Sequence, residues 1–161
     1  SMNYGEVRFT HDIDIVIRAR LDDVDRFVDA FDTNRFYIDR GSVEAAIKSQ
    51  GMFNLIDSQT TFKVDFILPS SSYDRYRFDR KIKANPTEGV TAFFCSAEDV
   101  ILSKMRFDKM SGSDKHLRDI AAILQLSGDD LDQDYLEEWA HALDVRDIWR
   151  QVRQRVDDGQ P

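Results

Sequence analysis

One cysteine, three prolines, seven glycines and no long apolar run make this chain poor in several of the features that define specialised protein classes. A lone thiol, Cys95, has no partner for an internal disulfide, and a reducing, cytoplasmic location is consistent with that. It lies in the apolar segment Val90–Cys95, where it reads as a small core residue of a buried strand. No stretch is apolar enough over about 20 residues to cross a bilayer, so no membrane is expected among the partners. The polar and aromatic first residues do not read as a secretory signal. Low-complexity tracts and internal repeats are absent. Basic residues are the minority, 22 against 30 acidic ones, and the net charge of −8 argues against a broad, non-specific nucleic-acid surface. One local exception is the cluster Arg75, Arg77, Arg80, Lys81 and Lys83. Neither a G-x-x-x-x-G-K-[ST] loop nor a G-x-G-x-x-G turn occurs. His116 and His141 have no cysteine companions, which argues against a structural zinc site.

What is present begins with Asp12-Ile13-Asp14-Ile15-Val16-Ile17. The Ile/Val run predicts a β-strand, and strand alternation puts Asp12 and Asp14 on one face. Two carboxylates side by side repel unless a cation lies between them or one is protonated. Hard oxygen donors of this kind suit Mg²⁺ or Mn²⁺. Further along, the pattern predicts a helix with Val24, Phe27, Val28 and Phe31 on one face, capped by Asp22 or Asp23. It predicts a short helix over residues 43–50 with Ser42 as its cap. A hairpin of two strands, 52–56 and 61–68, turns around Asp57-Ser58-Gln59. Residues 73–78 read as an aromatic and basic connector, 85–89 as a loop, and 90–95 as a strand. The last third reads as all helical, from Ser96 as a cap through stretches at 97–110, 114–126, 132–142 and 145–156, with Trp139 and Trp149 as core anchors. The fold class is therefore α/β (α+β): a short mixed sheet flanked by helices, then a helical C-terminal part, with the boundary expected between residues 1–96 and 97–161.

The third informative acid is Asp65, in Lys63-Val64-Asp65-Phe66-Ile67. Aspartate is disfavoured inside strands and is rarely buried without a partner. Either Asp65 pairs with Lys63 or an arginine, or it joins Asp12 and Asp14 around metal ions. Such a carboxylate set can hold a pair of Mg²⁺ ions roughly 3.5–4 Å apart for phosphoryl or nucleotidyl transfer.

These residues together resemble a family. Arg8-Phe9-Thr10-His11-Asp12-Ile13-Asp14 is similar to the R-x-T-x-D-[IL]-D signature of nucleotidyltransferases of the DNA polymerase β superfamily, nearest to the minimal and AbiEii-like branch of bacterial toxin–antitoxin systems. Lys63–Ile67 resembles the strand with that family's third aspartate. Ser96-Ala97-Glu98-Asp99-Val100-Ile101-Leu102-Ser103-Lys104 resembles its s-x-E-D-l-i-l-x-K helix, and His116–Ile120 the helix that follows. The resemblance runs from about Tyr4 to Leu126. It implies a nucleotidyltransferase fold and a Mg²⁺-dependent (or Mn²⁺-dependent) transfer of a nucleoside monophosphate from an NTP to a hydroxyl of a protein, a tRNA end or a small molecule. It also implies roles. Asp12, Asp14 and Asp65 are catalytic metal ligands, Asp65 doubling as the base. Arg8, Thr10, Lys104 and Asp119 are nucleotide-binding, with Lys104 on the triphosphate and Asp119 orienting it. His11 should point away from Asp12 and Asp14. The family's Gly-Gly or Gly-Ser motif, on a helix before the Asp-x-Asp strand, is matched here only at its tail by Tyr4-Gly5. That departure supports a second expectation: a catalytically impaired relative that acts by protein–protein interaction, with an antitoxin-like partner or as a homodimer.

Overall fold

The computed structural model describes residues 12–112 and 114–159, with the side chains of Asp12 and Asp129 left aside. The class is mixed α/β, as the patterning predicts. The chain divides into two compact units, the first ending at Phe78 and the second starting at Asp79.

The first unit is built on a sheet of order β1-β4-β3-β2. Its strands are β1 (Asp12–Val16), β2 (Phe36–Ile38), β3 (Met52–Asp57) and β4 (Lys63–Ile67). β3 and β4 form the expected antiparallel hairpin, and β1 runs parallel to β4. Period-two alternation on β3 buries Phe53 and Leu55 and exposes Met52, Asn54 and Ile56. On β4 the same alternation sends Phe66 to the core, where it joins Val24, Val43, Ala46, Phe53, Leu55 and Leu68. The helices α1 (Val24–Val28) and α2 (Arg40–Ser49) supply Val24, Val43 and Ala46 to that core. Phe27 meets Phe53 and Phe66 edge-on at 5.5 and 5.1 Å, and the latter two stack at 5.2 Å. Edge-to-face and offset stacks of this kind suit the ring quadrupole.

Local capping chemistry shifts several boundaries. α2 starts three residues before Val43, because the Asp39 carboxylate, not Ser42, is the cap and accepts the Ser42 N–H at 2.7 Å. Residues 73–78 belong to the helix α3 (Ser72–Asp79) rather than to a connector. A Ser-x-x-Asp exchange drives this start: Ser71 Oγ accepts the Asp74 N–H at 3.0 Å, and Asp74 Oδ2 accepts the Ser71 N–H at 3.1 Å.

The second unit holds a two-stranded antiparallel hairpin and a set of helices. β5 (Ile82–Thr87) carries Asn85-Pro86 inside the strand, where the register shifts between Ala84 and Thr87, so the expected loop shrinks to the turn at Glu88-Gly89. Proline is tolerated at such an irregularity because no ladder N–H is needed there. β6 (Val90–Phe94) is a strand but an exposed one, and Cys95 is exposed too, contrary to the core reading. The apolar composition of Val90–Cys95 is the same in either case; the exposure is set by what covers the hairpin.

The helices are α4 (Ala97–Ser111), α5 (Asp114–Ser127), α6 (Gln133–Ala142) and α7 (Arg146–Asp157). Ser96 caps α4 as expected, accepting the Asp99 N–H at 3.1 Å. Gly112 ends it in the left-handed region at φ 61°, which a side-chain-bearing residue adopts only at a cost. The buried apolar side chains of these helices include Ile101, Leu102, Met105, Ile120, Leu136, Trp149 and Val152. Trp149 is the anchor expected of it, its indole N–H donating to Glu137 at 2.8 Å, whereas Trp139 is half-buried.

Candidate functional site

Each candidate residue falls into one of three groups. Arg8, Thr10, Gly5 and His11 lie outside the described residues. Asp12, Asp14 and Asp65 are on the sheet of the first unit, and Lys104 and Asp119 are on α4 and α5 of the second.

On the sheet, the parallel pairing of β1 with β4 sets the backbone of Asp12 level with Lys63 and that of Asp14 level with Asp65. Residues level with each other on adjacent strands project to the same face, about 4.8 Å apart. Asp14 and Asp65 are therefore neighbours on the face away from the aromatic core, because Phe66 takes the core side. Asp14 is exposed, while Asp65 is only 8% exposed. The backbone of Asn54 on β3 is level with Asp65 from the other side. Its amide N–H donates to Asp65 Oδ1. Lys63 Nζ pairs with Asp65 Oδ2 at 2.9 Å. The alternative partner for Asp65 expected from the sequence, Lys63, is thus in place, on the interior strand β4.

The donor set suits a hard divalent cation in kind: two carboxylates on one face, with an amide group between strands. Among the described residues no group of three or more His, Cys, Asp or Glu gathers in metal-ligand geometry. The Asp65 carboxylate that such a cation would need has both oxygens engaged, by Asn54 and by Lys63.

In the second unit, the helix 97–104 shows what each residue of its motif does. Glu98 Oε1 accepts the Asp132 N–H at 3.1 Å. Asp99, only 1% exposed, accepts the Tyr135 hydroxyl at 2.7 Å and the Ser96 hydroxyl at 3.2 Å. Both acids thus tie the start of α4 to the start of α6. Burial raises the Tyr135 hydroxyl pKa well above the ordinary phenol range, and the hydrogen bond to Asp99 adds to the rise. Arg80 lies over the Tyr135 ring, 3.8 Å from its centroid. Lys104, five residues further along, is partly buried and its Nζ pairs with Asp119 Oδ2 at 2.8 Å. Asp119 is thus an ion-pair partner of Lys104 across the two helices.

Sequence reasoning missed Asn54 and the structural duty of Asp99. Asn54 carries a faint signal, a polar residue midway through the exposed face of β3, but its meaning depends on register. Asp99 carries none, since Tyr135 is 36 residues away.

Compared with models of known protein families, the chain matches none, and no curated protein matches it by sequence.

Proposed function

We propose that this chain is a Mg²⁺-dependent nucleotidyltransferase that moves a nucleoside monophosphate from an NTP to a hydroxyl acceptor. The observation that carries the reading is the β1–β4 register, which makes Asp14 and Asp65 neighbours on one sheet face. In this reading, Asp12, Asp14 and Asp65 hold the cation, and bound Mg²⁺ supplies charge neutralisation at the triphosphate. Asp65 accepts the proton of the acceptor hydroxyl. The acceptor oxygen forms a bond to the α-phosphorus as the bond to pyrophosphate breaks. Arg8 and Thr10, which precede Asp12 in the sequence, are assigned to nucleotide binding, and so separately is Lys104, whose ammonium pairs with Asp119. A cytoplasmic location and a place beside a toxin–antitoxin partner belong to the same proposal.

The test is transfer of label from α-³²P NTPs into cell-lysate components, with and without Mg²⁺. The expected result is Mg²⁺-dependent labelling that Asp14→Ala abolishes; labelling unchanged in that variant would sink the reading.

A second reading, a binding protein without turnover, is favoured by one observation. The β5–β6 hairpin exposes Ile82, Val90, Phe93 and Phe94. Apolar groups in such a patch are commonly covered by a partner. Calorimetric titration with Mg²⁺–ATP, –CTP, –GTP and –UTP separates the readings, since micromolar binding belongs to the enzyme.

A further inference from the structure

Asp65 is a nearly buried carboxylate on an interior strand, and a buried anion is retained only with a counter-charge and hydrogen bonds. The two partners that satisfy it differ in kind. Asn54 is a short side chain level with Asp65 on the neighbouring strand, so its amide is fixed by the sheet register. Lys63 is a long, flexible side chain, still 39% exposed, that reaches Asp65 Oδ2 from two residues away on the same strand. The backbone of Lys63 is level with that of Asp12 on β1. A carboxylate oxygen has two lone pairs, so Asn54 can keep its hydrogen bond while Oδ1 also ligates a cation. Lys63 cannot stay in the same way, because an ammonium and a divalent cation on one carboxylate repel each other.

We infer that Lys63 is a resident counter-ion of Asp65 that a divalent cation displaces, and that Asn54 is the fixed positioning residue that keeps Asp65 aimed during the exchange. The inference rests on the proposed cation-dependent function and adds to it a built-in competitor. Lys63 neutralises Asp65 in the cation-free protein and sets a threshold on cation affinity. Long ammonium stems make this exchange easy, since the departing head returns to water while the stem stays on the sheet.

The experiment is titration of the full chain with Mn²⁺ alone, reading free Mn²⁺ by electron paramagnetic resonance, for wild type, Lys63→Met, Lys63→Arg and Asn54→Ala. With the Lys63 head partly exposed, the ion pair corresponds to a shift of about two- to fivefold, so Lys63→Met should bind Mn²⁺ that much more tightly. Lys63→Arg keeps a cation at the site and should stay near wild type or weaken. Asn54→Ala should weaken binding, because Asp65 loses its fixed partner. Wild-type and Lys63→Met affinities that coincide, with both proteins folded by circular dichroism, overturn the inference while leaving the cation-dependent function standing. Absence of Mn²⁺ binding in every variant, Lys63→Met included, overturns both.

Discussion

Replacing Tyr135 by phenylalanine removes one oxygen and leaves the ring volume unchanged. The structure predicts a large penalty for so small an edit. The lost hydroxyl is the 2.7 Å donor to Asp99, a carboxylate exposed by only 1%. Water cannot readily replace the donor at such a depth, and a hydrogen bond to a charged acceptor is worth about 1.5–3 kcal/mol. Ser96 keeps its contact with the other Asp99 oxygen at 3.2 Å, which places the expected loss near the middle of that range, about 2 kcal/mol. For a chain of this size that corresponds to a fall in Tm of about 4–8 °C. Thermal melts of wild type and Tyr135→Phe, followed by far-ultraviolet circular dichroism at pH 7, measure it directly. A second variant, Tyr135→Phe with Asp99→Asn, should recover part of the loss, because the amide tolerates burial better than an under-satisfied charge. A Tm shift smaller than 1 °C for Tyr135→Phe would refute the claim that Asp99 is a buried anion tying α4 to α6. The motif acid would then have to be explained some other way.

Three further outcomes follow from the same geometry. Phe66→Ala removes the ring packed against Phe27 and Phe53 and should destabilise the first unit by about 3–5 kcal/mol, read as a lower urea midpoint. The Asp57 carboxyl is lowered to about 2 by its hydrogen bonds from Arg35 at 2.8 and 3.2 Å, helped by the Gln59 N–H. Its stabilisation is fully present above the unfolded pKa of about 3.9 and disappears as pH falls through about 2. Urea midpoints of wild type and Arg35→Met should therefore differ at pH 6 and converge toward pH 2. If the proposed function holds, Asp119→Ala should remove the 2.8 Å partner of Lys104 and weaken Mg²⁺–NTP binding in calorimetry less than Lys104→Ala does, since that proposal gives the phosphate contact to Lys104 and only its orientation to Asp119. Equal losses would make Asp119 a ligand in its own right.

Much of the fold was legible because the local codes are strong. Alternation on residues 52–57 names Phe53 and Leu55 as inward-facing without reference to any neighbour. Ser96 at the start of α4 is read from side-chain chemistry that acts within four residues. The errors arose where two local signals competed or where exposure depended on coverage. Ser42 and Asp39 are both good caps, and only the backbone angles at Asp39 decide between them. The run Tyr73–Phe78 lacks helical periodicity, and its helix is started by the Ser71–Asp74 exchange rather than by an apolar face. Val90–Cys95 is as apolar as a core strand yet stays exposed, because burial of a strand face depends on the layer packed over it and not on the strand's own composition.

The candidate site divides along the same line. Sequence alone determined that Asp12 and Asp14 belong to one strand, that Asp65 belongs to another, and that Lys104 sits on a helix opened by Ser96, since each statement depends on contacts within a few residues. Tertiary structure alone decided that β1 lies parallel to β4 with Asp14 level with Asp65, that Asn54 and Lys63 share the Asp65 carboxylate, and that Asp119 holds Lys104. Sheet order and register are set by how the whole apolar face packs, around Phe27, Phe53 and Phe66 in the first unit. A carboxylate records nothing in its own neighbourhood about which strand that packing will bring beside it.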